Sequence, residues 1–312
     1  MQSKRSDENS EGTRAGKGAD GLHTFLLADD TIRGVVLDGS RMIRRMRRRH
    51  ELGILETLAL GHAYLGACLM SASLKGDDRL RLQVDCSGPI KGLVVDANAG
   101  GEVRGYLKHV PIPVEKPLED FNLAPFFGAG FLSVTRILDD AKQPFTGRVM
   151  MAHGRLAKDL AHYYLTSEQI PTSFSLSVKF EVDGRVEAAG GLFLQAMPDA
   201  DDSVIRQIES CVVELPSIGG CLAEGTSPTS LVETHLGDFA PRFIHRRTVA
   251  FGCHCNRDQI RNLLTMLPVD ELKDIHEKGP FPVEIRCHYC NARYRFEREH
   301  IERIVAARFA NN

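Results

Sequence analysis

The chain has 312 residues, of which 43% are hydrophobic and 26% are charged. At this length roughly 75% of the unfolded chain's surface can be buried, so a substantial core is expected. Lysine and arginine number 39 against 41 aspartate and glutamate, and the net charge of −2 gives no overall attraction to nucleic acid or membrane.

Neither a membrane span nor a secretory signal is expected. The longest apolar run, Leu58 to Met70, contains His62 and is shorter than the roughly 18 residues that a span requires. The first twenty residues contain no hydrophobic stretch of the kind that a secretory signal needs. The expected location is therefore cytoplasmic, in a reducing compartment.

The predicted organisation begins with a disordered tail, residues 1–21, which is rich in charge, glycine and serine and has almost nothing apolar to bury. Residues 22–198 follow as a core of the α+β class, a mixed sheet-and-helix domain, because strand patterns and helical patterns come in separate groups. The apolar spacing predicts two helices in 41–75 with a break near Gly53, and another helix over 156–164.

Alternating apolar residues predict strands at 80–86, 93–95, 131–137 and 174–182. Asp183-Gly184 is typical of a type I′ hairpin turn leading to a return strand near 192–197. Gly190-Gly191 predicts a bend in that strand.

A change of composition at Pro198 marks the end of the core. Residues 199–250 are predicted to be a partly helical linker of modest stability, with one short helix beginning at Ser227-Pro228 because serine favours the N-cap and proline the first helical position. Residues 251–312 form a small charged block that contains two close pairs of cysteines, with helices expected at 258–267 and 270–277.

The four paired cysteines carry the most specific chemistry in the sequence. Cys253 and Cys255 form a CxC pair, Cys287 and Cys290 form a CxxC pair, and the 31 residues 256–286 separate them. Four thiolates in two close pairs are the ligands of a tetrahedral zinc site, and a block of this size needs such a staple. His254 and His288 lie inside the pairs but are not needed as ligands.

Two other interpretations of these cysteines are structural disulfides, which a reducing compartment disfavours, and a purely structural zinc knot. The CxC pair favours a redox role, since a disulfide across a single residue should be strained and reducible. Arg257, Arg286 and Arg293 lie near the pairs in sequence and are expected to favour thiolate.

Several stretches, together with the CxC and CxxC spacing, resemble the 33-kilodalton heat-shock chaperonin family over roughly residues 22–305. They are SASLK at 71–75, DCSGP at 85–89, YYLTSEQIPT at 163–172 and AAGGLFLQAMP at 188–198. The chain departs from the better-known members in its longer tail, in Asn291 where a glycine is common, and in four further cysteines. Those cysteines are Cys68, Cys86, Cys211 and Cys221.

The resemblance implies an ATP-independent holdase, a chaperone that binds unfolding client proteins and is largely inactive while reduced and zinc-loaded. On that pattern Zn²⁺ is held by Cys253, Cys255, Cys287 and Cys290. Oxidation then forms the disulfides Cys253–Cys255 and Cys287–Cys290, releases zinc, unfolds the switch domain and linker, and leads to homodimerisation.

The arginine cluster within 41–49 leaves a second function open. A solvated helix face above an apolar stripe of Met42, Ile43 and Met46 is one interpretation. The alternative is a zinc-ribbon protein that binds nucleic acid through these arginines. The chain is not expected to be an enzyme, because it has no phosphate loop, dinucleotide fingerprint or nucleophile elbow.

Overall fold

The computed structural model describes residues 19–114 and 120–310. The strands are β1 (Gly21–Leu27), β2 (Ile32–Asp38), β3 (Arg79–Cys86), β4 (Gly92–Asn98), β5 (Glu102–Leu107), β6 (Gly130–Ile137), β7 (Phe145–Met150), β8 (Thr172–Phe180), β9 (Val186–Ala196), β10 (Arg242–Thr248), β11 (Ala250–Phe251), β12 (Val283–Arg286) and β13 (Arg293–Phe296). Residues 1–18 of the predicted tail lie outside the described residues.

The helices come in groups between groups of strands, as is typical of an α+β fold. They are α1 (Ser40–His50), α2 (Ile54–Met70), α3 (Ala124–Phe127), α4 (Leu156–Tyr163), α5 (Asp202–Glu214), α6 (Ile218–Ala223), α7 (Pro228–His235), α8 (Arg257–Thr265), α9 (Val269–Lys278) and α10 (Arg298–Ala310). The predicted fold class is confirmed, as is the interruption of the first helical region near Gly53.

Two large sheets form the main body. One has the strand order β10-β1-β2-β9-β8 and the other β11-β5-β4-β3-β6-β7. Neighbouring strands are antiparallel except β11 and β5, which are parallel. Helix α2 contacts strands of both sheets, so the largest hydrophobic cluster surrounds it.

Helix α2 is apolar on all sides because it is buried on all sides. In the described residues, the segment Ile54–Ser73 is the one stretch long and apolar enough to span a membrane, and 89% of its apolar window is buried inside the protein. The apolar run at 58–70 is by itself too short to span a membrane, but it belongs to the longer helix α2. Its burial is that of a core helix.

The hairpin between β8 and β9 differs from the prediction. A type I′ turn needs positive φ at both central residues, but Gly184 has a φ of +81° and Asp183 is not among the residues with positive φ. The Gly184 amide donates a hydrogen bond to the Glu181 carbonyl at 2.8 Å. The pairing register of β8 with β9 shifts between Lys179 and Phe180. The turn is therefore longer than predicted, and Val182 is fully exposed rather than part of the strand.

The predicted bend at Gly190-Gly191 is also wrong. Strand β9 keeps its register with β2 and β8 through both residues. A Cβ added at Gly190 would lie 2.5 Å from Leu222, and one at Gly191 would lie 2.9 Å from Leu69. The glycines therefore let α6 and α2 approach the strand from opposite faces.

The predicted linker contains helices α5, α6 and α7 and ends in strand β10, which the sequence analysis missed. These helices cover a second hydrophobic cluster on the outer face of the first sheet. Ser227 accepts a hydrogen bond from the Ser230 amide and Pro228 opens α7, as predicted. Strand β10 pairs antiparallel with β1, from Gly21 opposite Thr248 onward.

The C-terminal block has a small core of its own between α8, α9, α10 and the β12–β13 hairpin. Its buried apolar residues are Ile260, Leu264, Leu272, Phe296, Ile301 and Ile304. The predicted helices α8 and α9 are present. The inward face of α8 is set by Ile260 and Leu264, one turn apart, and Leu263 is 60% exposed. The domain limits themselves remain a prediction.

Candidate metal centre

The four paired cysteines meet at one point. Cys253 and Cys255 lie in the loop between β11 and α8, and Cys287 and Cys290 lie in the turn between β12 and β13. All four sulfur atoms are within 4.8 Å of one another. Two pairs of residues that are distant in sequence are thus brought to one cluster.

The CxxC turn is fixed by its own backbone. The Asn291 amide donates to the Cys287 carbonyl at 2.7 Å, and the Cys287 amide donates to the Ala292 carbonyl at 2.9 Å. Asn291 has a φ of +57°, a left-handed conformation that glycine adopts freely and asparagine tolerates better than most residues. This explains how asparagine can stand where a glycine is common.

The cluster fits a tetrahedral metal ion. With Zn–S bonds of about 2.3 Å, tetrahedral sulfurs lie about 3.8 Å apart. The sulfur atoms of Cys253 and Cys287 are 3.8 Å apart, and those of Cys255 and Cys290 are 3.3 Å apart. Four soft sulfur ligands with no oxygen donor suit zinc better than magnesium or calcium.

The two histidines inside the pairs have other contacts. His254 lies 2.9 Å from the Glu102 carboxylate of β5. The ring of His288 packs edge-on against Tyr106, with 5.4 Å between centroids. Both agree with the prediction that neither histidine is a ligand.

The thiols differ in their proton affinity. Burial raises the pKa of Cys287 to about 11 and also raises the pKa of Cys290. Burial acts in the same direction on Cys255, but hydrogen bonds from Tyr294 and the neighbouring thiols outweigh it and lower the pKa of Cys255. The Tyr294 hydroxyl lies 3.0 Å from the Cys255 sulfur, a contact that the sequence did not suggest.

The three arginines that lie near the pairs in sequence contact other side chains. The Arg257 guanidinium lies over the Phe296 ring, 4.7 Å from its centroid. Arg286 contacts Glu284 at 3.4 Å. Arg293 lies 4.0 Å from a carboxylate oxygen of Glu51. That these arginines favour thiolate stays a prediction.

Tyr289, between the two cysteines of the CxxC pair, docks the C-terminal block on the main body. Its hydroxyl accepts a hydrogen bond from Arg81 at 3.0 Å, and Nε2 of His50 donates to its carbonyl at 3.1 Å. The Arg104 guanidinium lies 4.4 Å from its ring centroid, and Tyr106 packs edge-on at 5.4 Å. The turn that supplies two thiols therefore also supplies the docking contacts.

The cysteine cluster itself borders the main core. Cys290 is 6% exposed and belongs to the largest hydrophobic cluster, against which the other three cysteines pack. Phe251, which precedes the CxC pair, stacks on Tyr64 of α2 with 6.4 Å between centroids. Disturbing the thiol cluster therefore disturbs contacts with the main body.

The other four cysteines have packing positions. Cys68 is fully buried in α2, where burial raises the pKa of its thiol to about 12. Cys86 packs against the same core, while Cys211 and Cys221 pack against the second cluster. Cys68 is buried and the other three are half-buried, so all four pack against apolar clusters.

The arginine cluster of α1 lies above a buried apolar stripe, as predicted, since Met42, Ile43 and Met46 are at most 1% exposed. Arg44 donates to the Val186 carbonyl at 2.9 Å, and Arg47 donates to the Leu52 carbonyl at 3.2 Å. These two arginines thus donate hydrogen bonds to backbone carbonyls of neighbouring segments. Binding of nucleic acid through the exposed arginines stays an alternative prediction.

Fold and site together define a class of protein. A two-sheet α+β body carries a small block with four clustered thiols that could hold a metal ion. The turn that supplies two of these thiols also docks the block on the body. The family model of the Hsp33 protein matches residues 20–297. The chain belongs to the Hsp33 family, a family of chaperonins.

Related sequences and a solved structure agree with this assignment. The chain is 34% identical to the 33 kDa chaperonin of Desulforamulus reducens, over 89% of this chain and 98% of that one. It is 35% identical to the 33 kDa chaperonin of Geobacter sulfurreducens, over 91% and 94%. The crystal structure of the 33 kDa chaperonin of Thermotoga maritima superposes with a TM-score of 0.84 at 30% identity, covering 94% of this chain and all of that one.

Proposed function

We propose that this chaperone is an ATP-independent holdase of the cytoplasm, held inactive by zinc and activated by oxidation of its four clustered thiols. One observation carries the proposal: the turn from Cys287 to Cys290 contributes two sulfurs and also Tyr289, whose contacts dock the block on the body. A change at sulfur is therefore also a change at the docking surface.

Cys253, Cys255, Cys287 and Cys290 would hold the ion, and zinc bound to such a set contributes about 10–16 kcal/mol of apparent folding free energy. The block's own core of six buried apolar residues is small. A core of that size rarely supplies more than about 3–5 kcal/mol. The block is expected to unfold when its four sulfurs no longer bind a common metal ion.

The activating step is the formation of two disulfides, Cys253–Cys255 and Cys287–Cys290. Each pair of zinc-bound thiolates would lose two electrons, and one peroxide molecule takes up these electrons and two protons from solvent to become two water molecules. The 3.8 Å and 3.3 Å sulfur contacts run between the pairs, not within them. Since a disulfide needs about 2.05 Å, oxidation must break the cluster apart.

Clients would be bound by apolar surface that the undocked block and the loosened linker uncover. Cys290 and Phe251 are nearly fully buried against the body and become exposed on undocking. Helices α5 to α7 cover a second apolar cluster that opens if the linker detaches. Uncovered apolar patches of this kind bind unfolded polypeptides and also favour homodimerisation.

The test is light scattering from a thermally unfolding client protein, measured with the zinc-loaded reduced chaperone and with the chaperone after peroxide treatment. Suppression of scattering by the oxidised form alone is the expected result. Cys253→Ser should lose zinc affinity and respond abnormally to peroxide, while Cys211→Ser, a matched control outside the cluster, should behave like the wild type.

Two results would contradict the proposal in different ways. Equal suppression by both forms would mean a chaperone without a redox switch. No suppression by either form would overturn the holdase function and leave the four thiols as a structural site.

A further inference from the structure

A cavity of about 180 Å³ lies between the two large sheets, and none of the four clustered thiols lines it. Its walls come from β2 and β9 of one sheet, from β6 of the other, and from the C-terminal end of α2. The π-helical turn Tyr164–Glu168, which follows α4, closes it. The cavity is separate from the redox site in both its residues and its chemistry.

Three of the sequence stretches that carry the family resemblance meet at this cavity. SASLK contributes Ala72 and Ser73, YYLTSEQIPT contributes Tyr164 and Glu168, and AAGGLFLQAMP contributes Gln195. These stretches are far apart in sequence, and the metal centre uses none of these residues.

The charges in the cavity do not balance. Arg136 of β6 contacts Glu168 at 3.2 Å, and the second oxygen of Glu168 accepts a hydrogen bond from the Tyr163 hydroxyl at 2.7 Å. Glu168 is thus fully engaged by these two groups. Arg33 of β2 is the second guanidinium of the cavity, so the lining carries one positive charge in excess.

Arg33 and Gln195 lie opposite each other in the β2–β9 ladder, and both side chains line the cavity. Across residues 19–114 and 120–310, neither side chain has a hydrogen bond or ion pair to another residue. Burial lowers the pKa of Arg33, although a guanidinium keeps its proton at neutral pH. Arg33 interacts electrostatically with Tyr164, which also lines the cavity, and a bound anion would give its guanidinium an ion pair.

We propose that this cavity binds a small carboxylate anion, with Arg33 as its ion-pair partner and the Gln195 amide as a second donor. A planar guanidinium donates two parallel hydrogen bonds to a carboxylate, and one excess positive charge matches one negative charge. Leu69, Met70 and Phe193 provide an apolar wall for a short aliphatic group.

The experiment uses the full-length, reduced, zinc-loaded protein and sodium propionate as the probe. Binding is followed by saturation-transfer NMR and by the unfolding temperature, with sodium chloride at equal ionic strength and neutral propionamide as the comparison ligands. Propionate is expected to bind and to raise the unfolding temperature, while propionamide does neither. Equal effects of propionate and propionamide would overturn the proposal.

Arg33→Gln tests the assigned partner and is expected to weaken propionate binding about 10-fold, since hydrogen bonds to charged groups contribute about 1.5–3 kcal/mol. Arg155→Gln is the matched control, because Arg155 is exposed and does not line the cavity. Arg33→Lys keeps the positive charge but lacks the planar guanidinium that donates two parallel hydrogen bonds, so it should weaken propionate binding several-fold. This variant preserves the test if Arg33→Gln does not fold. Unchanged binding in the Arg33 variants would reject the site.

A final arm identifies the source of the carboxylate. Acetyl-Gly-Ala with a free C-terminus is set against its C-terminal amide as a competitor of propionate. Competition by the free acid alone assigns the site to the C-terminal carboxylates of polypeptides, and no competition by either peptide assigns it to free small acids. Both results support a carboxylate site, whereas competition by the amide would contradict it, and none depends on the holdase assay.

Discussion

At the scale of single residues, Asp20 replaces a missing helix cap. Gly39, at the N-cap of α1, has no side chain to bond, and the Asp20 carboxylate accepts hydrogen bonds from the amides of Arg41 and Met42 at 3.0 and 2.6 Å. Asp20→Ala should therefore lower the free energy of unfolding by about 1–3 kcal/mol, measured by urea denaturation. Asp29→Ala, at an exposed position, is the control and should change little.

The same carboxyl predicts a pH dependence of stability. Burial raises the pKa of Asp20 to about 6 from 3.8, while the two amides act in the opposite direction. A raised folded-state pKa stabilises the fold below pH 3.8 and loses that contribution as the pH rises through 6. The wild-type free energy of unfolding, compared with that of Asp20→Asn, should fall by roughly 2 kcal/mol between pH 4 and 7. A difference that stays constant over this range would contradict the assignment.

Tyr294 contacts the four-thiol cluster that we propose as the zinc site. Its hydroxyl lies 2.9 Å from the Cys255 carbonyl and 3.0 Å from the Cys255 sulfur. Residues that orient metal ligands typically contribute about 10–100-fold to metal affinity. Tyr294→Phe should weaken zinc binding by at least about 10-fold in competition with a chromophoric chelator. Tyr289→Phe, which loses a hydroxyl contact with Arg81 instead, should keep the wild-type affinity.

At the scale of elements, α5 is expected to be the weakest helix of the linker. Ile208 is its one buried residue, and Val213 is 85% exposed. Strand β10, by contrast, is hydrogen-bonded along β1. Because amides exchange through local opening, hydrogen–deuterium exchange should be much faster in α5 than in β10. Equal protection of the two would show that the linker opens as one unit.

Elements with a local signal could be predicted from the sequence, and elements fixed by distant contacts could not. The periodicity of α2 and the N-cap of α7 were sufficient for correct predictions. Strand β10 was missed because its burial pattern is largely exposed, and only its pairing with β1 makes it a strand. The glycines of β9 were misinterpreted because the helices that press on them are remote in sequence.

At the scale of the whole molecule, the clustering of the four thiols was predictable and the attachment of their block to the main body was not. The CxC and CxxC spacing places each pair of thiols by local geometry, so the cluster followed from the sequence. The docking contacts join Tyr289 to His50, Arg81 and Arg104, which no spacing rule connects. The coupling between sulfur chemistry and domain contact is therefore a product of the tertiary fold.

That coupling leads to a prediction about Tyr289. Tyr289→Ala removes the ring that Arg104 and Tyr106 contact but leaves all four thiols. The two ring contacts together contribute about 2 kcal/mol, so the undocked population should rise about 30-fold. Limited proteolysis between residues 248 and 256, where cleavage follows the open population, should accelerate accordingly at unchanged zinc content. Tyr289→Phe keeps the ring and should show a far smaller effect. A wild-type cleavage rate in the alanine variant would mean that the block is held by other contacts, and sulfur oxidation would then need another route to the chaperone surface.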